Sequence, residues 1–147
     1  MILSIAGTTQ FDELAEAVDR IALRLPERVI IQIGYNSKYI PRNCEYFNFA
    51  HDIKAYINEA RIVIAHGGAG ITFDVLEMNK LLISVENPHV LDLHQKDLLR
   101  KLSDEKYIIW CRDLNNLEKC IEEASERKIE IYRKPECGIG DVIIDLL

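Results

Sequence analysis

His66, three glycines and Asp74 fall within a nine-residue window, a set of side chains and spacings suited to holding a phosphate-bearing nucleotide. The run His66-Gly67-Gly68-Ala69-Gly70 follows an apolar stretch at 62–65 and opens a helical pattern that carries Thr72 and Asp74. A strand that enters a helix through glycines lets backbone approach a ligand closely, and the free first-turn amides attract phosphate together with the helix dipole. A second glycine turn, Gly7-Thr8-Thr9, ends the apolar run that starts the sequence. Two such turns in one small chain point to a nucleotide diphosphate site. A third polar segment, at 86–95, includes His94 and Gln95.

The elements that must position these groups are legible as alternating patterns. Near-continuous apolar runs at 2–6, 29–33, 45–49, 62–65, 81–85 and 108–110 read as strands covered on both faces. Between them, Phe11, Leu14, Ala15, Val18, Ala22 and Leu25 keep helical spacing up to Pro26. Ile53, Tyr56, Ile57 and Ala60 repeat that spacing, as do Leu91, Leu98, Leu99 and Leu102, and then Leu114, Leu117, Ile121 and Ala124. The alternation predicts an α/β fold: a Rossmann-like, doubly wound parallel sheet of about six strands with right-handed crossovers. Ligands of such sheets bind beyond the carboxyl ends of the strands, where all three polar segments would lie. Residues 128–147 fit either a final helical turn or a partner-binding segment.

Length and composition set further bounds. A chain of 147 residues reads as a single domain, 1–147, able to bury a core. A net charge of −6 argues against nucleic acid as the main partner, since no dense basic stripe is present. The four cysteines (Cys44, Cys111, Cys120 and Cys137) form no CxxC pair, so they read as reduced packing thiols with no metal site. The first apolar run has no basic segment before it and stops after six residues, as a strand rather than a signal peptide would. No segment approaches the roughly 20 apolar residues of a membrane span. The expected setting is cytoplasmic, without direct membrane insertion.

Taken together, Gly7-Thr8-Thr9-Gln10-Phe11-Asp12-Glu13-Leu14, the stretch 60–74 and Asp92-Leu93-His94-Gln95 resemble the C-terminal, nucleotide-sugar-binding half of family 28 glycosyltransferases. The resemblance implies the C-terminal half of a GT-B glycosyltransferase, a UDP-sugar donor (UDP-GlcNAc above all), a lipid-linked acceptor and no cofactor. It implies a membrane-attached, Rossmann-like partner subunit that binds the acceptor and closes the cleft, and self-association of the lone chain as an open possibility. On this likeness Gly67, Gly68, Ala69 and Gly70 would hold the diphosphate and offset charge on the leaving group. Asp74 would accept hydrogen bonds from the ribose diol, and His66 would meet a phosphate oxygen. Gly7, Thr8 and Thr9 would line the cleft, Thr72 would stand in for the motif threonine, and His94 and Gln95 would touch sugar hydroxyls. No residue is assigned as catalytic base.

The sequence departs from the family pattern at several places. Asp74 replaces a glutamate, Ile71 stands where threonine is usual, Asn79-Lys80 replaces a helix-ending glycine and proline, and Glu86 replaces a proline. These departures suit an alternative, a non-catalytic nucleotide-sugar-binding or regulatory module. A dinucleotide oxidoreductase fits poorly, because Gly7-Thr8-Thr9 lacks the GxGxxG spacing. Some of the same residues also have plain structural readings: Asp92 with Gln95 as a capping box, Thr9 and Asp12 as caps of the first helix. His51 and His89 read as structural or exposed, and the charged run from Glu122 to Lys128 as a solvated helix face.

Overall fold

A computed structural model describes residues 1–6, 10–88 and 93–126. Expectations for Gly7, Thr8, Thr9, His89, Leu91, Asp92, Cys137 and the segment 128–147 lie outside the described residues. The strands are β1 (Ile2–Ile5), β2 (Val29–Gln32), β3 (Glu45–Phe47), β4 (Ile62–His66), β5 (Leu81–Val85) and β6 (Ile109–Cys111). They form one parallel sheet in the order β3-β2-β1-β4-β5-β6. The helices are α1 (Asp12–Ala22), α2 (Ile53–Glu59), α3 (Ala69–Glu77), α4 (Leu93–Asp104) and α5 (Leu117–Glu126), with a short 3-10 turn at Leu114–Asn116. The expected doubly wound architecture is therefore present.

The sheet separates two apolar layers. On one face Leu14, Ala15, Val18, Ile21 and Ala22 of α1 join Leu117, Ile121 and Ala124 of α5 over Ile31, Ile62, Ile64 and Ile83. On the other, Ile57, Val75, Leu76, Leu98, Leu99 and Leu102 cover Leu3, Ile5, Val63, Ala65 and Leu82. Each fully buried aliphatic side chain contributes about 2 kcal/mol. Cys111 lies in the first layer with Cys120 packed against it, and burial raises the Cys111 thiol to about 12, as suits a packing residue. Among the described residues no helix is long and apolar enough to cross a membrane.

Element ends differ from the sequence reading for local reasons. β3 stops at Phe47, because the Asn48 side chain and carbonyl turn to pair with Gly34. α1 ends at Ala22, before Leu25, since a residue preceding proline avoids helical geometry. Asp12 does not cap α1; its carboxylate reaches across to the Ser37 hydroxyl and the Lys38 amide. At the end of α3, Asn79 takes the left-handed conformation (φ 58°) normally given to glycine, which explains why the helix terminates without one.

The β2–β3 connection has no crossover helix, and a buried carboxylate takes over its role. Asp19, only 1% exposed on α1, accepts the Tyr39 hydroxyl at 2.6 Å and the amides of Arg42 and Asn43 at 3.0 and 2.8 Å. Burial alone would raise its pKa, yet these donors hold it below its ordinary 3.8. Asp19→Ala should therefore destabilise the chain by about 3 kcal/mol in urea unfolding near pH 7, since several enclosed donors lose their acceptor. The lowered pKa means that the stability Asp19 supplies is present above pH 3.8 and disappears on further acidification.

Candidate functional site

The central strands bring the polar turns together. Ile5 of β1 pairs with Ala65 of β4, and His66 pairs with Val85 of β5, so these three strands end side by side. Asn87 follows β5 and donates from Nδ2 to the Gln10 carbonyl at 3.3 Å, tying that turn to the segment entering α1. Glu86 does not stand as an isolated negative charge at this edge. Lys96 on α4 pairs with it at 3.5 Å.

The β4–α3 turn is shaped by close contacts that exclude side chains. The Gly68 amide donates to His66 Nδ1 at 3.2 Å, and a Cβ on Gly68 would lie 2.4 Å from the ring carbon Cε1. A Cβ on Gly67 would approach Leu99 Cδ1 to 2.9 Å and Gln95 Oε1 to 3.2 Å, so the turn is pressed against α4. Gly70 is different: a Cβ there would meet nothing within 4 Å. Gly68 is thus hemmed in by the His66 ring and Gly67 by the ends of the Leu99 and Gln95 side chains, while Gly70 faces open space.

The electrostatics of the turn follow. Because Nδ1 accepts from Gly68, the His66 proton sits on Nε2, and burial lowers the ring's pKa below 6.5. At neutral pH His66 is an uncharged donor. α3 begins with Gly68 as N-cap and no side-chain cap, which leaves its first-turn amides and dipole available to an anion. Asp74 is half-buried one turn along, and its carboxylate has no partner among the described residues.

The remaining candidates divide by exposure. Ala69 and Gly70 are exposed at the helix start. Thr72 is 0% exposed, and both its amide and its hydroxyl donate to the Gly68 carbonyl, at 3.1 and 2.7 Å. It therefore lies inside the helix, away from the open face. Gln95 is half-buried beside Gly67, and His94 is exposed in the first turn of α4. Sequence reasoning missed Asn87 and Lys96, which fasten the turn after β5.

A parallel sheet with helices on both faces and an uncapped glycine turn after its central strand defines a Rossmann-like domain. The chain belongs to the glycosyltransferase family 28 C-terminal domain, whose family model matches residues 1–139. It is similar to the UDP-N-acetylglucosamine transferase subunit ALG13 of Debaryomyces hansenii, with 30% identity over 111 residues covering 73% of this chain and 52% of that one. The chain thus spans about half the length of that relative. It shares its fold with the solution structure of ALG13 (TM-score 0.64, 20% identity, 99% of this chain and 93% of that one). The calicheamicin glycosyltransferase CalG4 has the same fold over part of its length (TM-score 0.70, 17% identity, 85% of this chain and 34% of that one).

The two kinds of glycine should respond differently to substitution. Gly68→Ala should cost about 2 kcal/mol in urea unfolding, because the His66 ring must be displaced. Gly70→Ala should leave stability unchanged or raise it by up to about 1 kcal/mol, as expected for alanine in open helical space. His66 adds a pH dependence. With its folded pKa below 6.5, the unfolded chain takes up the proton first, so stability should fall as pH drops from 6.5 toward the folded value. A urea midpoint that holds steady across this range in the wild type would remove that assignment.

Proposed function

We propose that this chain is the donor-binding half of a UDP-sugar transferase, with UDP-GlcNAc as donor, acting on a lipid-linked acceptor beside a membrane-attached, Rossmann-like partner subunit. The observation that carries the reading is the α3 terminus: uncapped amides, an uncharged His66 donor and, about one turn along the helix, the Asp74 carboxylate without a partner among the described residues. Family membership and the similarity to the UDP-N-acetylglucosamine transferase subunit ALG13 support it.

In this reading the amides of Ala69 and Gly70, with the helix dipole, hold the diphosphate and stabilise charge as UDP leaves the anomeric carbon. His66 Nε2–H donates to a phosphate oxygen. Asp74 accepts from both ribose hydroxyls, which a carboxylate can do with its two oxygens. Gln95 and His94 meet the sugar, and Gly7, Thr8 and Thr9 line the cleft. The base that deprotonates the acceptor hydroxyl comes from the partner half. The chain works on the cytoplasmic face of the membrane, held there by its partner. Pairing of Glu86 with Lys96 removes one argument for a purely regulatory module, because the charge at the site edge is offset.

Calorimetric titration tests the assignment. The purified chain should bind UDP and UDP-GlcNAc but not NAD. Asp74→Ala should weaken UDP by about 1–3 kcal/mol, and Gly70→Ala should weaken it without loss of stability. Sugar transfer should require the partner subunit. Unchanged UDP affinity in Asp74→Ala would move ribose recognition elsewhere, and efficient transfer by the lone chain would overturn the half-site reading.

A further inference from the structure

Five large apolar side chains are exposed among the described residues, and four of them, Tyr35, Ile40, Tyr46 and Phe49, fall between residues 35 and 49. Ile40 stands in the middle of the β2–β3 connection and is 62% exposed. A lone exposed isoleucine is ordinary on a protein surface. What sets this one apart is how it is held and what flanks it.

The loop alternates between anchors and displayed groups. Tyr39 turns inward, with its hydroxyl on the buried Asp19 carboxylate, and Pro41 is buried. Lys38, Ile40 and Arg42 are exposed. The backbone is fastened on both sides of Ile40, by the Lys38 amide on Asp12 and the Arg42 amide on Asp19, each at 3.0 Å. The loop is therefore ordered by α1 before anything binds it, which lowers the entropic cost of a contact. Lys38, Ile40 and Arg42 surround one open hollow together with Tyr39.

Charge separates this loop from the rest of the chain. No Asp or Glu occurs between Arg28 and Cys44, although the net charge is −6. The acids packed against the loop are engaged. Asp12, which also feels the Lys38 charge, accepts from Gln10, Ser37 and the Lys38 amide. Asp19 is held by its donors, Glu16 pairs with Arg20 at 3.1 Å, and Glu45 pairs with Arg28. Neither Lys38 nor Arg42 is in an ion pair among the described residues.

An apolar side chain set between two unpaired cations matches the chemistry of an anionic lipid surface. The cations meet lipid phosphates while the apolar group enters the boundary of the acyl chains. A stable protein interface would instead bury about 800 Å² on each side around a continuous apolar centre. Here the apolar groups are interrupted by charge, with Ile40 between Lys38 and Arg42, and Tyr46 next to Glu45. The acidic remainder of the chain is repelled by an anionic surface, so the loop decides which side faces it.

We infer that Lys38, Ile40 and Arg42 form a membrane-contact surface for anionic lipid, which orients the chain and adds to the hold of its partner. The inference rests on the membrane setting proposed above and not on the donor site. Amide NMR spectra of the full chain are recorded with vesicles of phosphatidylcholine alone and of phosphatidylcholine mixed equally with phosphatidylserine. With mixed vesicles at low salt, the signals of Lys38, Ile40, Arg42 and Asn43 should lose intensity most. Neutral vesicles or high salt should abolish the loss. Lys38→Gln combined with Arg42→Gln should raise the lipid concentration needed about tenfold or more, and Ile40→Ser about threefold. These exposed substitutions should leave the melting temperature and UDP affinity unchanged. Intensity loss centred on another surface overturns the inference, and no loss at any lipid concentration assigns the loop to a protein partner instead. Weaker UDP binding in the same variants also overturns it, by making the loop part of the donor site.

Discussion

The parallel register of β1, β4 and β5 is the constraint on which the rest depends. Because Ile5, Ala65 and Ser84 lie level with one another, the three turns that follow must leave the sheet at the same edge. No turn needs a conformation of its own to reach the others. The hydrogen-bonded ladder fixes their meeting, and the apolar layers on both faces hold the ladder in place. A one-residue slip in any of these strands would reverse which side chains point to which layer, so the register is strongly enforced. The precision of the edge comes from the core.

At that edge, the sequence uses the same residue type for different purposes. Gly67 and Gly68 are glycines because Leu99, Gln95 and the His66 ring occupy the space a side chain would need. Gly70 is free of such neighbours, and its lack of a side chain leaves the helix start open. The His66 ring serves as a wedge against Gly68 and, through the Gly68 amide, has its proton fixed on Nε2. Packing and protonation state are therefore set by one contact. Asn87 and the Glu86–Lys96 pair hold the neighbouring turn in a similar way, with short polar links in place of apolar packing.

Much of this was legible in the sequence, for definite reasons. Strands buried on both faces leave near-continuous apolar runs, and glycine clusters mark the turns, so the fold and the His66–Gly70 segment could be read directly. Asp74 stands out in the sequence because helical spacing places it about one turn past the glycines. What could not be read were interactions between distant segments. Asp12 looks like a helix cap in sequence, yet it bonds Ser37 and Lys38 from a loop more than two dozen residues away. Nothing local to Asp19 shows that it is buried or that it anchors the β2–β3 loop. The inward position of Thr72 depends on the exact start of α3, which spacing alone leaves uncertain by a residue.

The strand order also has a consequence for how the chain is made. β1 is synthesised first and ends up in the middle of the sheet, flanked by β2 and β4. It can gain its first neighbour once β2 has emerged, with α1 closing over that pair, but its other edge stays bare until β4 exists. In the interval a strand of Ile2-Leu3-Ser4-Ile5 has one open ladder and an apolar face awaiting α2 and α4. Such an intermediate is adhesive toward any other extended chain, and its closure depends on contacts distant in sequence, which form slowly. The nascent chain is therefore most exposed to misassociation before the glycine turn has been translated, and the strand that delivers that turn is also the one that seals the sheet.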